Sequence, residues 1–172
     1  KDGSKSSAKV VTGNAEAISA ENWQGKSYSA ANKVNIADYF EENTQYHYQY
    51  TDNYTGDDSI WSAEYDYTTK ATDKFSVILT GDPQVGASGS SSDKSANDAS
   101  VARDAYNWNK TMQQALKTCP DASFLLSAGD QINQSGATKD NDKKTRESEY
   151  AGYLYPSVFR SLPIAATIGN HD

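Results

Sequence analysis

Hydrophobic and polar positions change their rhythm near residue 73. Before it, Val34 and Ile36 alternate with polar neighbours, Tyr46, Tyr48 and Tyr50 alternate with His47 and Gln49, and Trp61, Ala63, Tyr65 and Tyr67 repeat the pattern. Period two sends side chains to opposite faces of half-buried strands. Residues 1–72 are therefore predicted to form a small antiparallel sheet with its aromatics on one face. Its breaks fall at Glu41-Glu42-Asn43 and at Asn53–Asp58, where Asn, Gly and Asp supply turns.

From Lys74 the pattern becomes strand, helix, strand, helix, strand. The apolar runs Phe75–Thr80, Ser123–Ser127 and Ile164–Ile168 lead into Gly81, Ala128-Gly129 and Gly169. After the first strand, residues 86–97 read as a Ser/Gly-rich loop, and Asn97 or Asp98 can cap the helix that follows. Val101, Ala105, Trp108, Met112, Ala115 and Leu116 recur at i, i+3 or i+4 up to Cys119-Pro120, the spacing of a core-facing stripe. Residues 134–144 read as a polar surface loop. Tyr150, Tyr153, Leu154, Val158 and Phe159 suggest a second helix that Pro156 interrupts or restarts. Strands separated by helices pair in parallel through right-handed crossovers, which brings all three glycine turns to one carboxyl edge.

Composition narrows the function classes. At 172 residues and 36% apolar content the chain has room for one ordinary domain or two small ones. A net charge of -7 and a pI near 4.8, with no Lys/Arg stripe, argue against binding to a nucleic-acid backbone. No apolar stretch approaches the roughly 20 residues of a membrane span, and residues 1–20 lack the plan of a signal peptide. A soluble chain whose export signal has been removed is expected. The single cysteine, Cys119, excludes an internal disulfide framework. The Tyr, Ser, Thr and Asn bias, with 12 Tyr, points to an extracellular, secreted or cell-surface location.

The candidate chemistry sits in the turns: Gly81-Asp82-Pro83-Gln84, Gly129-Asp130 and Gly169-Asn170-His171-Asp172. Two unpaired carboxylates brought to one edge repel each other, and a divalent cation removes that cost. Two metal ions about 3.5–4 Å apart, bridged by a carboxylate, polarise phosphoryl oxygens and activate water. Asp82, Asp130 and the neutral amide of Asn170 suit the metal-ligand roles. His171 suits protonation of a leaving oxygen or stabilisation of charge on the phosphoryl group, with Asp172 orienting its ring.

These motifs resemble the calcineurin-like metallophosphoesterase superfamily, whose successive motifs are Asp-x-His, Gly-Asp-x-x and Gly-Asn-His-Asp/Glu, followed by a lone His and a Gly-His-x-His. The resemblance covers about residues 74–172. It implies Asp82 as a ligand of the first metal, Asp130 as the bridging carboxylate, Asn170 as a ligand of the second metal and His171 as the catalytic histidine. The cofactors implied are two divalent or trivalent ions of Fe, Zn or Mn, and the substrate is a small phosphoester. The implied fold is α/β, the first half of an αββα sandwich (residues 73–172), preceded by part of an all-β fibronectin type III-like sandwich (residues 1–72). Phe40–Tyr48 resembles the turn and Tyr-x-Tyr strand of the domain that precedes the catalytic domain in purple acid phosphatases, with Tyr46 at the tyrosine corner, and Trp61–Tyr65 resembles its final strand.

Two departures from the family pattern bear on function. Gln84 stands where the first motif carries His or Gly, and its amide oxygen is a weaker ligand than imidazole for Zn or Fe. Asn133 stands where purple acid phosphatases place an iron-binding Tyr. Only His47 and His171 are present, and residues 1–72 supply about four strands where such a sandwich uses about seven. The expectation is a fragment of a longer enzyme, inactive alone and completed by the remainder of the same polypeptide, as another chain or as further residues. The alternative is a non-catalytic cell-surface or adhesion module that retains the fold.

Overall fold

Among the described residues, alternation and apolar runs translate into seven strands and two α-helices, some displaced from where the periodicity puts them. A computed structural model describes residues 8–89, 94–134 and 140–172, without the side chains of 94–96 and 140–144. The described residues are mixed α/β, with three small sheets and two α-helices. No helix among the described residues is long and apolar enough to cross a membrane.

Residues 14–68 form two antiparallel hairpins rather than the single sheet expected. In the first, β1 (Asn14–Glu21) pairs β2 (Ser27–Lys33). Asn22 closes the connection: its side-chain oxygen accepts the amides of Gln24 (3.0 Å) and Lys26 (2.9 Å), the local bonding that makes Asn a turn former. In the second, β3 (Gln45–Tyr48) pairs β4 (Tyr65–Thr68), with Tyr46 opposite Tyr67 and Tyr48 opposite Tyr65 on one face. His47 and Asp66 share the other face, 2.6 Å apart, and His47 is exposed, as its position opposite the tyrosines predicts. Glu41 N–H donates to Tyr46 Oη at 2.8 Å, which ties the turn before β3 to the strand. Val34, Ile36, Tyr50, Trp61 and Ala63 lie outside any strand. Alternation alone does not hold a strand there, because Val34 and Ile36 find no layer to bury against and are both exposed.

The second half follows its predicted order closely. β5 (Ser76–Thr80), β6 (Ala122–Ser127) and β7 (Ile164–Ala166) form one parallel sheet in the order β5-β6-β7. α1 (Lys94–Thr118) begins upstream of Asn97 and Asp98, which therefore lie within the helix rather than cap it. Part of the expected Ser/Gly loop, residues 90–93, lies outside the described residues. α1 ends where Pro120 cannot continue it, after Cys119 N–H closes the last turn on Ala115 O at 2.9 Å. α2 (Asp140–Tyr153) occupies part of the expected 134–144 loop, whose residues 135–139 lie outside the described ones. Pro156 restarts the chain as a 3₁₀ turn, Ser157–Arg160, ahead of β7.

The α1 stripe is core. Val101, Ala105, Trp108 and Met112 are buried against Leu125 of β6, with Tyr153 and Leu162 completing the cluster and Ile78 and Ile164 packed at its edge. Each large apolar side chain so buried is worth about 1.5–3 kcal/mol in transfer terms. Both helices serve one face of the sheet. On the other face Val77 pairs with Phe124 and Leu79 with Leu126, and Leu79 is 67% exposed. The hairpins lean on this body: β1 lies against α2, and Tyr48 Oη donates to Arg160 O at 2.7 Å while the Arg160 guanidinium covers the Tyr65 ring at 5.0 Å.

Candidate functional site

Parallel order puts the turns after β5, β6 and β7 at one sheet edge, and hydrogen bonds join them there. Past the strand ends the first two loops remain zipped together: Asp82 N–H donates to Gly129 O (3.1 Å), Gln84 N–H to Asp130 O (3.0 Å) and Val85 N–H to Gln131 O (3.1 Å). A parallel bridge between Val85 and Ile132, both buried, anchors the zipper in the core. The third turn closes onto the second. His171 N–H donates to Asp130 Oδ1 at 3.0 Å, and Gly169 lies so close that a Cβ there would collide with the Asp130 amide and carboxylate.

The backbone of this edge is strained. Asp82 (φ 57°), Gln84 (φ 36°) and Asp130 (φ 50°) occupy the left-handed region, and Asn43 is the only other non-glycine residue to do so among those described. Side chains there cost about 1 kcal/mol each, less for Asp, and persist only where surrounding bonds over-determine them. The zipper supplies those bonds. Asp82 and Asn170 are exposed, while Gln84, Asp130, His171 and Asp172 are half-buried.

The partner of the His171 ring is Asn133, not Asp172. Nδ1 lies within a short hydrogen bond of the Asn133 carbonyl, and a carbonyl only accepts, so Nδ1 carries the proton and Nε2 is the nitrogen left for exchange. Asp172 is occupied elsewhere. Its Oδ1 accepts Gln131 N–H (2.8 Å) and its Oδ2 accepts Gly169 N–H (2.9 Å), which turns it into a staple between the second and third loops. Gln131, buried, adds a bond from Nε2 to Thr167 O at 2.8 Å.

Behind the loops stands Glu149 of α2, a residue the motifs do not mark. It is 1% exposed, and its Oε2 accepts the amides of Asn133 (3.1 Å) and Gln134 (2.7 Å). Burial raises its pKa to about 7, against the lowering effect of those two amides. The one sequence signal for it is position: Glu149 lies four residues before the buried Tyr153, on the same helix face. Asn133 acts through its backbone, which no side-chain pattern announces.

As a donor set, Asp82, Asp130, Gln84 and Asn170 offer two carboxylates and two amide oxygens, hard ligands that suit a cation such as Mn²⁺ better than the softer, nitrogen-seeking Zn²⁺. No three His, Cys, Asp or Glu side chains among the described residues converge on one ion. The set fits a cation in part, and a two-metal centre needs further donors. Comparison with protein-family models, curated proteins and solved structures finds no match to this chain.

Proposed function

We propose that this chain carries part of the active site of a metal-dependent hydrolase of phosphate mono- or diesters, of the calcineurin-like metallophosphoesterase type. The observation that supports the reading best is backbone conformation: three of the four described non-glycine residues with positive φ are candidate ligands, at one sheet edge. Strain concentrated on ligand-type residues is characteristic of sites held ready for charge. Bound metal would polarise a phosphoryl oxygen and supply an activated water. Asp82, Asp130, Asn170 and, weakly, Gln84 would hold it, with Asp130 Oδ1 also accepting His171 N–H. His171, when its Nε2 has also taken up a proton, would give that proton to the leaving oxygen, while Nδ1 keeps the one it shares with the Asn133 carbonyl. The open face at Val77 and Leu79 is the surface that the second layer of an αββα sandwich would cover, because parallel sheets are buried on both sides. In this reading the hairpins of residues 14–68 belong to a fibronectin type III-like neighbour, and the protein acts outside the cell.

Leaving-group dependence tests the reading. In the full-length protein, His171→Ala is expected to slow phenyl phosphate hydrolysis about 100-fold. p-Nitrophenyl phosphate, whose leaving group needs little protonation, should suffer much less. Equal losses on both substrates would remove the acid role.

A second reading, a non-catalytic surface module that keeps the fold, is favoured by Gln84 and by the lack of any three converging His, Cys, Asp or Glu side chains among the described residues.

A further inference from the structure

Glu149 and His171 are linked through a single peptide group. The Gln134 N–H that donates to Glu149 Oε2 at 2.7 Å belongs to the same peptide unit as the Asn133 carbonyl that accepts from His171 Nδ1. Carboxylate, peptide and imidazole form one directional chain, and such chains strengthen cooperatively, because a bond that polarises the N–H makes its carbonyl a better acceptor. We propose that Glu149 is the positioning residue of His171, holding the Asn133–Gln134 peptide so that the ring keeps its proton on Nδ1 and presents Nε2 to the edge where Asp82, Asp130 and Asn170 gather. A carboxylate usually orients a catalytic histidine directly. Here Asp172, the adjacent candidate, is spent on Gln131 and Gly169, and the carboxylate acts at one remove.

Packing around Glu149 is consistent with a fixed strut. Gly86 lies against it so closely that a Cβ there would collide with the carboxyl group, so the loop after β5 closes over the side chain from above. Asp104 of α1 takes up that same loop, accepting Gly86 N–H (2.9 Å) and Ser88 N–H (3.1 Å). Asn133 N–H is shared between Glu149 Oε2 and Val85 O, both at 3.1 Å, which ties the strut to the zipper. Burying a carboxylate is costly, as its raised pKa reflects, and the fold retains it at a point where an apolar residue would leave the Gln134 amide without this acceptor.

The proposal deepens the hydrolase reading, in that positioning serves catalysis only if His171 acts, but its test does not depend on turnover. The full-length protein is labelled with ¹⁵N-histidine and observed with chelator at about pH 8, His171 being assigned from H171Q. Wild type should show a protonated Nδ1 and a bare Nε2. Glu149→Ala should shift both resonances towards averaged values, and Glu149→Gln, whose amide oxygen can accept the same N–H, should keep the wild-type pattern. Should Glu149→Ala not fold, Glu149→Asp, which withdraws the oxygen by one methylene, should show the same averaging. On phenyl phosphate, Glu149→Ala should lower kcat about 10-fold with KM little changed. A folded Ala or Asp variant that keeps the wild-type tautomer, or a Gln variant that loses it, overturns the proposal. Tautomer coupling without any effect of His171→Ala on hydrolysis would instead leave the positioning intact and sink the hydrolase reading.

Discussion

Exchange of Asp130 for asparagine is expected to lower metal-dependent phosphoester turnover by about 10³-fold, roughly 4 kcal/mol of transition-state stabilisation, while leaving the fold in place. The substitution isolates charge. Asparagine tolerates the left-handed conformation that Asp130 adopts at φ 50°, and its side-chain oxygen can still accept His171 N–H, now at 3.0 Å from Oδ1. What disappears is the negative charge that would draw a cation between the loops. Binding of Mn²⁺ followed by calorimetry should weaken in parallel with turnover, and the unfolding midpoint should stay within a few degrees of wild type. Unaltered metal affinity and turnover in Asp130→Asn would remove the residue from the centre.

The largest effect on stability is expected at Trp108. Its ring is 8% exposed, lies 5.7 Å from Tyr153 in a stacked arrangement and 6.4 Å from Phe159, and donates from Nε1 to Tyr153 O at 3.0 Å. It thus joins α1 to the end of α2 and to the turn that feeds β7. Trp108→Ala leaves a cavity and an unpaired carbonyl, and should cost about 3–5 kcal/mol in urea unfolding. Trp108→Phe keeps most of the packing but not the hydrogen bond and should cost about 1–2 kcal/mol. Because β7 delivers Gly169, Asn170 and His171, the alanine variant should also loosen the third turn before the rest of the sheet, visible as faster amide exchange at His171. A loss below about 1 kcal/mol for Trp108→Ala would contradict its place in the core.

Legibility in the sequence followed the range of the interactions. Three apolar runs leading into glycine turns marked β5, β6 and β7, because parallel strands are continuous in hydrophobicity, and the Val101–Met112 stripe marked the buried face of α1 because helical period is a local property. The same strands located Asp82, Asp130 and Asn170 at one edge through topology alone. The first 72 residues were harder. Val34 and Ile36 alternate as a strand would, yet the hairpin lies just before them at 14–33, in Ala- and Ser-rich sequence whose pairing is set by Asn22 and its turn. Glu149 escaped because one glutamate in a charged helical stretch looks solvated until the Asn133–Gln134 loop folds over it. Adjacency to His171 suggests a partnership for Asp172, but the turn directs its carboxylate towards Gln131 and Gly169.

The central claim is that the three turns form a metal-dependent hydrolytic site, and metal content tests it most directly. Full-length protein, purified without chelator and analysed for Mn, Fe and Zn alongside hydrolysis of p-nitrophenyl phosphate and its bis ester, should carry about two equivalents of metal per chain and be active on at least one of the two. Metal-free protein that stays inert after addition of Mn²⁺ or Zn²⁺ would contradict the claim and favour the non-catalytic module.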